Sequence, residues 1–139
     1  MKRLFLSISL IACALVPALA CSRPQPGFSC EDAIKRATES AAQSAPEVGI
    51  LEARIDSVAA ELITLGEADR RMGGERGTAG CGPGQSQDTP VWWVRVQGYF
   101  RFESMPAPDA EPPIYAAPER IFVYDAHNGK ELGSRMPYT

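Results

Sequence analysis

The sequence is poor in the side chains from which metal and redox centres are made. It has one histidine, His127, and four cysteines, none of them in a Cys-x-x-Cys pair. No zinc-ligand spacing and no dithiol motif therefore exist. Clusters of Lys and Arg are missing too. The 14 basic residues are outnumbered by 17 acidic ones, for a formal charge of −3. That excludes nucleic acid as a partner, because its binders need clustered cations to displace counterions. It equally excludes polybasic docking on an anionic bilayer. There is no Gly-x-Ser-x-Gly nucleophile elbow. The glycine-rich stretch Gly73-Gly74-Glu75-Arg76-Gly77 lacks the Lys-Ser/Thr of a phosphate loop. No internal repeat is present.

What the chain does have begins at its N-terminus. Lys2 and Arg3 precede the apolar run Leu4–Val16, and Ala18-Leu19-Ala20 places small residues at the first and third positions before Cys21. This is the pattern of a cleaved secretory signal. The apolar run is shorter than the ~20 residues that span a bilayer. Residues 1–20 are thus expected to be a signal. Removing them discards two positive charges and no acid, taking the formal charge from −3 to −5. The remaining length suits one domain. Its expected organisation is a tether over residues 21–29, rich in Pro and Gly, followed by a domain over 30–139.

Ala18-Leu19-Ala20-Cys21 resembles the lipobox of bacterial lipoproteins, although Ala18 stands where that family prefers Leu. The resemblance implies cleavage before Cys21 and lipidation of its thiol, palmitate among the acyl chains. Leu10-Ile11-Ala12-Cys13 is a weaker second match, since cleavage there would leave a very short hydrophobic run. Ordinary cleavage after Ala20, with Cys21 free or in a disulfide, is the plain alternative. If Cys21 carries lipid, Cys30 and Cys81 are left as one disulfide. That bridge would stabilise the fold by roughly 4 kcal/mol through loop closure. Ser22 is not an acid, which in such lipoproteins implies release to the outer membrane. The expected address is the cell envelope, either the outer side of the cytoplasmic membrane or the outer membrane.

Within the domain, Ser29-Cys30-Glu31-Asp32 reads as a capped helix start. Ala33, Ile34, Ala37 and Ala41 then share a face, and Pro46 ends the element. Residues 47–63 are two-valued. Leu51, Ile55, Val58 and Leu62 keep helical spacing, whereas Val58, Ala60 and Leu62 alternate as in a strand. Thr64-Leu65-Gly66-Glu67 is a second capping box, so a strand near Ile55–Ile63 and a short helix Leu65–Met72 are preferred. Gly73–Thr89 reads as a loop that Cys81 would pin to the first helix. Val91–Phe102 alternates with period two, the even-numbered residues from Trp92 to Phe102 on one face. Met105–Pro118, with five prolines, reads as a long loop. Ile121–Tyr124 is the next strand, His127-Asn128-Gly129-Lys130 a hairpin turn, and Glu131–Arg135 the last strand. The expected class is α+β: an N-terminal helix on a small antiparallel sheet with a C-terminal hairpin.

Little chemistry stands out against this frame. His127 sits in a turn, where a solvated side chain is the ordinary case. Asp125 is expected to cap that turn through its carboxylate. Glu52, Glu61 and Glu67 are scattered acids with no sign of an acid–base pair. No metal site and no cofactor are expected. The most informative set is Trp93, Arg95, Tyr99 and Arg101, alternate residues of one strand face. Aromatics interleaved with Arg both stack and hydrogen-bond, so this face is the candidate ligand or peptide surface.

Val91-Trp92-Trp93-Val94-Arg95-Val96 followed by Phe122-Val123-Tyr124-Asp125-Ala126-His127-Asn128-Gly129-Lys130-Glu131-Leu132 resembles envelope modules of the PepSY-like kind. In those a strand runs into Asp-Ala-x-x-Gly-Glu-x-Leu at a hairpin, and an alanine-rich helix like Asp32–Ala42 precedes the strands. Here Lys130 is inserted between Gly129 and Glu131. The resemblance implies a helix-plus-sheet fold and an inhibitory or ligand-binding role outside the membrane, and it transfers no catalytic residue. The expected function is a non-enzymatic envelope lipoprotein that binds a protein, peptide or surface polymer. The alternatives are a structural accessory subunit of an envelope complex and, last, a hydrolase with an unrecognised site.

Overall fold

The computed structural model describes residues 21, 27–43, 48–73, 86–104 and 108–137. The expected signal 1–20, Cys13 and Cys81 lie outside the described residues. The order of elements is α1 (Cys30–Ala41), β1 (Val48–Thr64), α2 (Leu65–Arg71), β2 (Pro90–Ser104), β3 (Ile114–Asp125) and β4 (Glu131–Arg135). The four strands form one antiparallel sheet in the order β1-β2-β3-β4. The protein is therefore α+β.

Both helices start where their capping residues dictate. The Ser29 hydroxyl accepts from the Asp32 N–H at 3.1 Å. The Thr64 hydroxyl accepts from the Glu67 N–H at 3.2 Å. Each satisfies one of the amides a helix leaves without an internal partner. The far end of α1 is closed from the sheet. The buried guanidinium of Arg120 donates to the carbonyls of Ala41 at 2.7 Å, Ser40 at 3.0 Å and Gln43 at 3.5 Å. It also lies 5.1 Å from the Phe122 ring centroid. Since α1 has no basic residue in its own last turn, a cation from β3 does that work.

Two cores form, one on each face of the sheet. Ala33, Ala37 and Ala41 of α1 pack with Val58, Ala60, Trp92, Val94, Val96, Phe100, Phe122 and Tyr124. Small helix residues let α1 lie close to this face, and the large side chains come from the strands. On the other face Leu65, Ala68 and Met72 from the α2 region cover Val91, Trp93, Ile121 and Val123.

β1 is longer than the pattern predicts, and its irregularity explains why. Pairing with β2 runs from Val48–Ser104 to Thr64–Pro90, but the register shifts between Ile50 and Glu52 and between Ile55 and Ser57. Leu51 and Asp56 are thus supernumerary, as in β-bulges. Two bulges turn a period of two into steps of three, and these mimic helical spacing. β3 also begins earlier than expected, at Ile114 instead of Ile121, and takes in Pro118. Proline is tolerated there because the β2–β3 ladder is broken between Gln97 and Phe100. At the same place Gly98 admits β1: a Cβ on it would stand 1.8 Å from the Arg54 carbonyl oxygen.

The cysteine pairing differs from the expected Cys30–Cys81. Cys30 is bonded to Cys21, with Cα atoms 5.5 Å apart. Cys30 is fully buried at the start of α1, and Cys21 packs against the same core. The end of the expected tether is likewise built into the domain. The Phe28 N–H donates to the Ala126 carbonyl at 2.9 Å, and the buried Trp92 indole donates to the Phe28 carbonyl at 2.8 Å. These bonds hold the segment entering α1 against the β3–β4 turn. A nine-residue separation favours this pairing locally, which counting cysteines alone does not reveal.

Candidate functional site

The β3–β4 turn is a framework and not a site. One carboxylate oxygen of Asp125 accepts from the N–H groups of His127 at 2.8 Å and Asn128 at 3.3 Å. Asn128 in turn accepts from the Lys130 N–H at 2.8 Å. Gly129 adopts φ +73° and lies against Phe28, whose ring would be 2.6 Å from an added Cβ. His127 is exposed at the tip. Among the described residues no group of three or more His, Cys, Asp or Glu side chains could hold a metal ion.

The concavity that stands out lies on the sheet face opposite α1. α2 covers only the end of that face formed by Val91, Trp93, Ile121 and Val123. Beyond α2 a shallow groove of about 480 Å³ opens, lined by Arg71, Trp93, Arg95, Glu119, Ile121 and Arg135. A smaller recess of about 160 Å³ adjoins it, sharing Arg71, Trp93 and Arg95 and adding Ala59 and Glu61. The register brings these residues together: Trp93 faces Glu61 on one side and Val123 on the other. Arg95 faces Ala59 and Ile121, and Ile121 faces Arg135.

Charge in the groove is arranged unequally. Arg71 is held by Glu61 at 2.7 Å and by Glu67 at 3.1 Å, and its guanidinium carbon stands 5.5 Å from the Trp93 ring centroid. The hydrogen bond from Arg71 holds the Glu61 carboxyl below the usual carboxylate range. The same contact makes Arg71 harder to deprotonate. Arg95 pairs with Glu119 at 3.1 Å. Arg135 has no carboxylate partner among the described residues; its guanidinium reaches the Met72 carbonyl at 3.4 Å.

Of the four residues singled out in the sequence, Trp93 and Arg95 line the groove and Tyr99 and Arg101 do not. Trp93 is only 5 % exposed. It is the floor of the groove and part of the α2 core, not a free stacking platform. Arg95 is the accessible member, its side chain 49 % exposed. Tyr99 and Arg101 lie further along the strand, past Gly98, where Tyr99 faces Arg54 and Arg101 faces Glu52. Arg101 makes a long ion pair with Glu52 at 3.9 Å. Arg71, Glu119, Ile121 and Arg135 were not legible as site residues, because they come from α2, β3 and β4 and meet only through the register. The one sequence signal was the position of Ile121 and Arg135 at matching distances from the hairpin turn.

No family model, no curated protein and no solved structure matches this chain.

Proposed function

We propose that this chain is a non-catalytic binding module of the cell envelope, a helix-backed sheet with a C-terminal hairpin, whose ligand lies on the helix-free face. The observation that carries this reading is the groove over Trp93 and Ile121, rimmed by Arg71, Arg95, Arg135 and Glu119. An apolar floor with a few convergent polar groups is the usual build of a ligand site. The PepSY-like resemblance of the strands and hairpin supports the same role. The test is photo-crosslinking in whole cells from position 95, with position 39 on the exposed side of α1 as control. An adduct formed from 95 and not from 39 is expected; equal labelling from both would refute a groove-specific ligand.

The anchor is part of the proposal. The signal-like residues 1–20 and the Cys21 that follows support a lipid-tethered chain outside the cytoplasmic membrane. One sulfur cannot carry both a glyceryl thioether and the bond to Cys30, so the anchored form is one in which the Cys21 thiol took the lipid in place of the disulfide and Cys30 is not bonded to it. Intact mass of the protein from the membrane fraction decides this. A lipid-sized excess on a chain beginning at Cys21 supports the anchor. A mass without lipid, and with Cys21 and Cys30 resistant to alkylation until reduced, refutes it and leaves an exported, disulfide-closed module.

A second reading, an accessory subunit, is favoured by β1. It is an edge strand, and Leu51 and Leu62 on it are 44 % and 45 % exposed. A stoichiometric adduct from position 51 and none from position 95 would favour the subunit.

A further inference from the structure

We infer that the groove receives an acidic peptide extended alongside β4, with one of its carboxylates on the guanidinium of Arg135. This rests on the reading of the helix-free face as the binding face, and it names the chemistry of the occupant.

The argument starts from which cations are already satisfied. Arg71 is bound by two carboxylates and Arg95 by one. A ligand anion that took either would first have to displace an internal partner. Arg135 lines the same groove without a carboxylate partner among the described residues, and its bond to the Met72 carbonyl, at 3.4 Å, is near the limit of a hydrogen bond. A guanidinium offers five donors in a fixed fork. A carboxylate arriving there gains a charge-assisted bond with no ion pair broken. Arg95 beside it is already neutralised by Glu119, so the open positive charge of this rim is that of Arg135.

The strand order makes the acidic ligand a peptide and not a sugar acid. Among the described residues β4 is the last strand of the sheet and pairs with β3 on one side. Its outer side presents main-chain groups with no described strand beside them, the template on which an extended peptide adds by backbone hydrogen bonds. Side chains alternate across a strand. Every second residue of an added strand therefore falls on the face where Arg135 and Gly133 stand, which is the groove face. Gly133 itself raises no side-chain wall there, and the neighbouring Leu132, set off by the register shift between Val123 and Tyr124, packs on the same face against the Trp93 and Ile121 cluster. A polysaccharide would make no use of the strand edge.

The test is a titration of the 15N-labelled mature chain with two capped peptides, acetyl-Thr-Glu-Phe-Glu-Thr-amide and its counterpart with Gln at both Glu positions. The acidic peptide is expected to move the Trp93 indole N–H signal and the amide signals of Leu132 to Arg135. The Trp92 indole, buried against Phe28, should stay still. The Gln peptide should bind on the order of tenfold more weakly. Arg135→Gln should remove that difference, with the rest of the spectrum unchanged as the control for folding. Equal binding of the two peptides would overturn the carboxylate inference and leave the binding face intact. If neither peptide moves these signals at millimolar concentration, the inference falls; an adduct from position 95 in cells would then show that the face binds something else, and a blank there would remove the face as well.

Discussion

The two faces of the sheet are made from the same strands and have different fates. On the face toward α1, Trp92, Val94, Val96, Phe100 and Phe122 are each 3 % exposed or less. On the other face α2 seals only one end, and Arg95, Gln97 and Arg101 of β2 are exposed. Alternation along β2 is equally regular on both faces, so periodicity alone assigns no role to either. Coverage does. A twelve-residue helix closes one face, and a seven-residue helix leaves the other open. The open remainder is where charged side chains and a concavity coincide.

The largest expected effect breaks the covered face. Phe100→Ala should destabilise by about 3–5 kcal/mol, the usual cost of truncating a fully buried aromatic. Equilibrium urea unfolding measures it. Arg120→Met comes next, at about 2–3 kcal/mol, because it removes the charge-assisted bonds to the Ala41 and Ser40 carbonyls at the end of α1, of which the Ser40 carbonyl keeps the Gln43 N–H. The same unfolding curves apply, and faster amide exchange confined to the last turn of α1 would locate the loss.

Tyr124 sharpens the comparison, because a polar atom lies on the covered face. Its hydroxyl is buried, and among the described residues no hydrogen bond of normal geometry satisfies it; the Ser40 side chain approaches it and only partly offsets the effect of burial. Burial, followed by the nearby Glu131, pushes its pKa up to about 12. The neutral form is therefore favoured by folding. Stability from this group is fully present below the unfolded value near pH 10 and is lost as pH rises from there through about 12. Tyr124→Phe should abolish that alkaline loss. At neutral pH it should leave stability unchanged or raise it by up to about 1 kcal/mol, since an unsatisfied hydroxyl is removed. Thermal melts at pH 7 and pH 11 read both effects, and a clear loss at pH 7 would contradict the description of the hydroxyl.

Much of the fold was legible, and for local reasons. Ser29 and Thr64 announced their helices through side-chain capping, β2 through strict alternation, and the turn through Asp125, Asn128 and Gly129. The illegible parts all depend on partners distant in sequence. The first half of β1 was hidden by bulges at Leu51 and Asp56, which exist only in relation to β2. Pro118 argued for a loop because proline breaks a ladder, yet it sits where the ladder is already broken. Counting cysteines pairs Cys30 with Cys81, whereas Cys30 is bonded to Cys21, nine residues away in the chain. The groove was half visible. Trp93 and Arg95 shared a face in the sequence, while Arg71, Glu119 and Arg135 arrived from three other elements. Tyr99 and Arg101 shared the face with Trp93 but lie beyond the end of the groove.

The separation of the two faces is tested most directly by the double variant Arg95→Ala/Arg135→Ala, followed by thermal unfolding and by crosslinking from position 59, where Ala59 borders the adjoining recess. Exposed charged residues contribute little to folding, within about 0.5 kcal/mol each, so a melting temperature within a few degrees of the parent is predicted, together with loss of the crosslinked adduct. A fall in stability comparable to that of Phe100→Ala, or an adduct that persists unchanged, would contradict the assignment of binding to the open face.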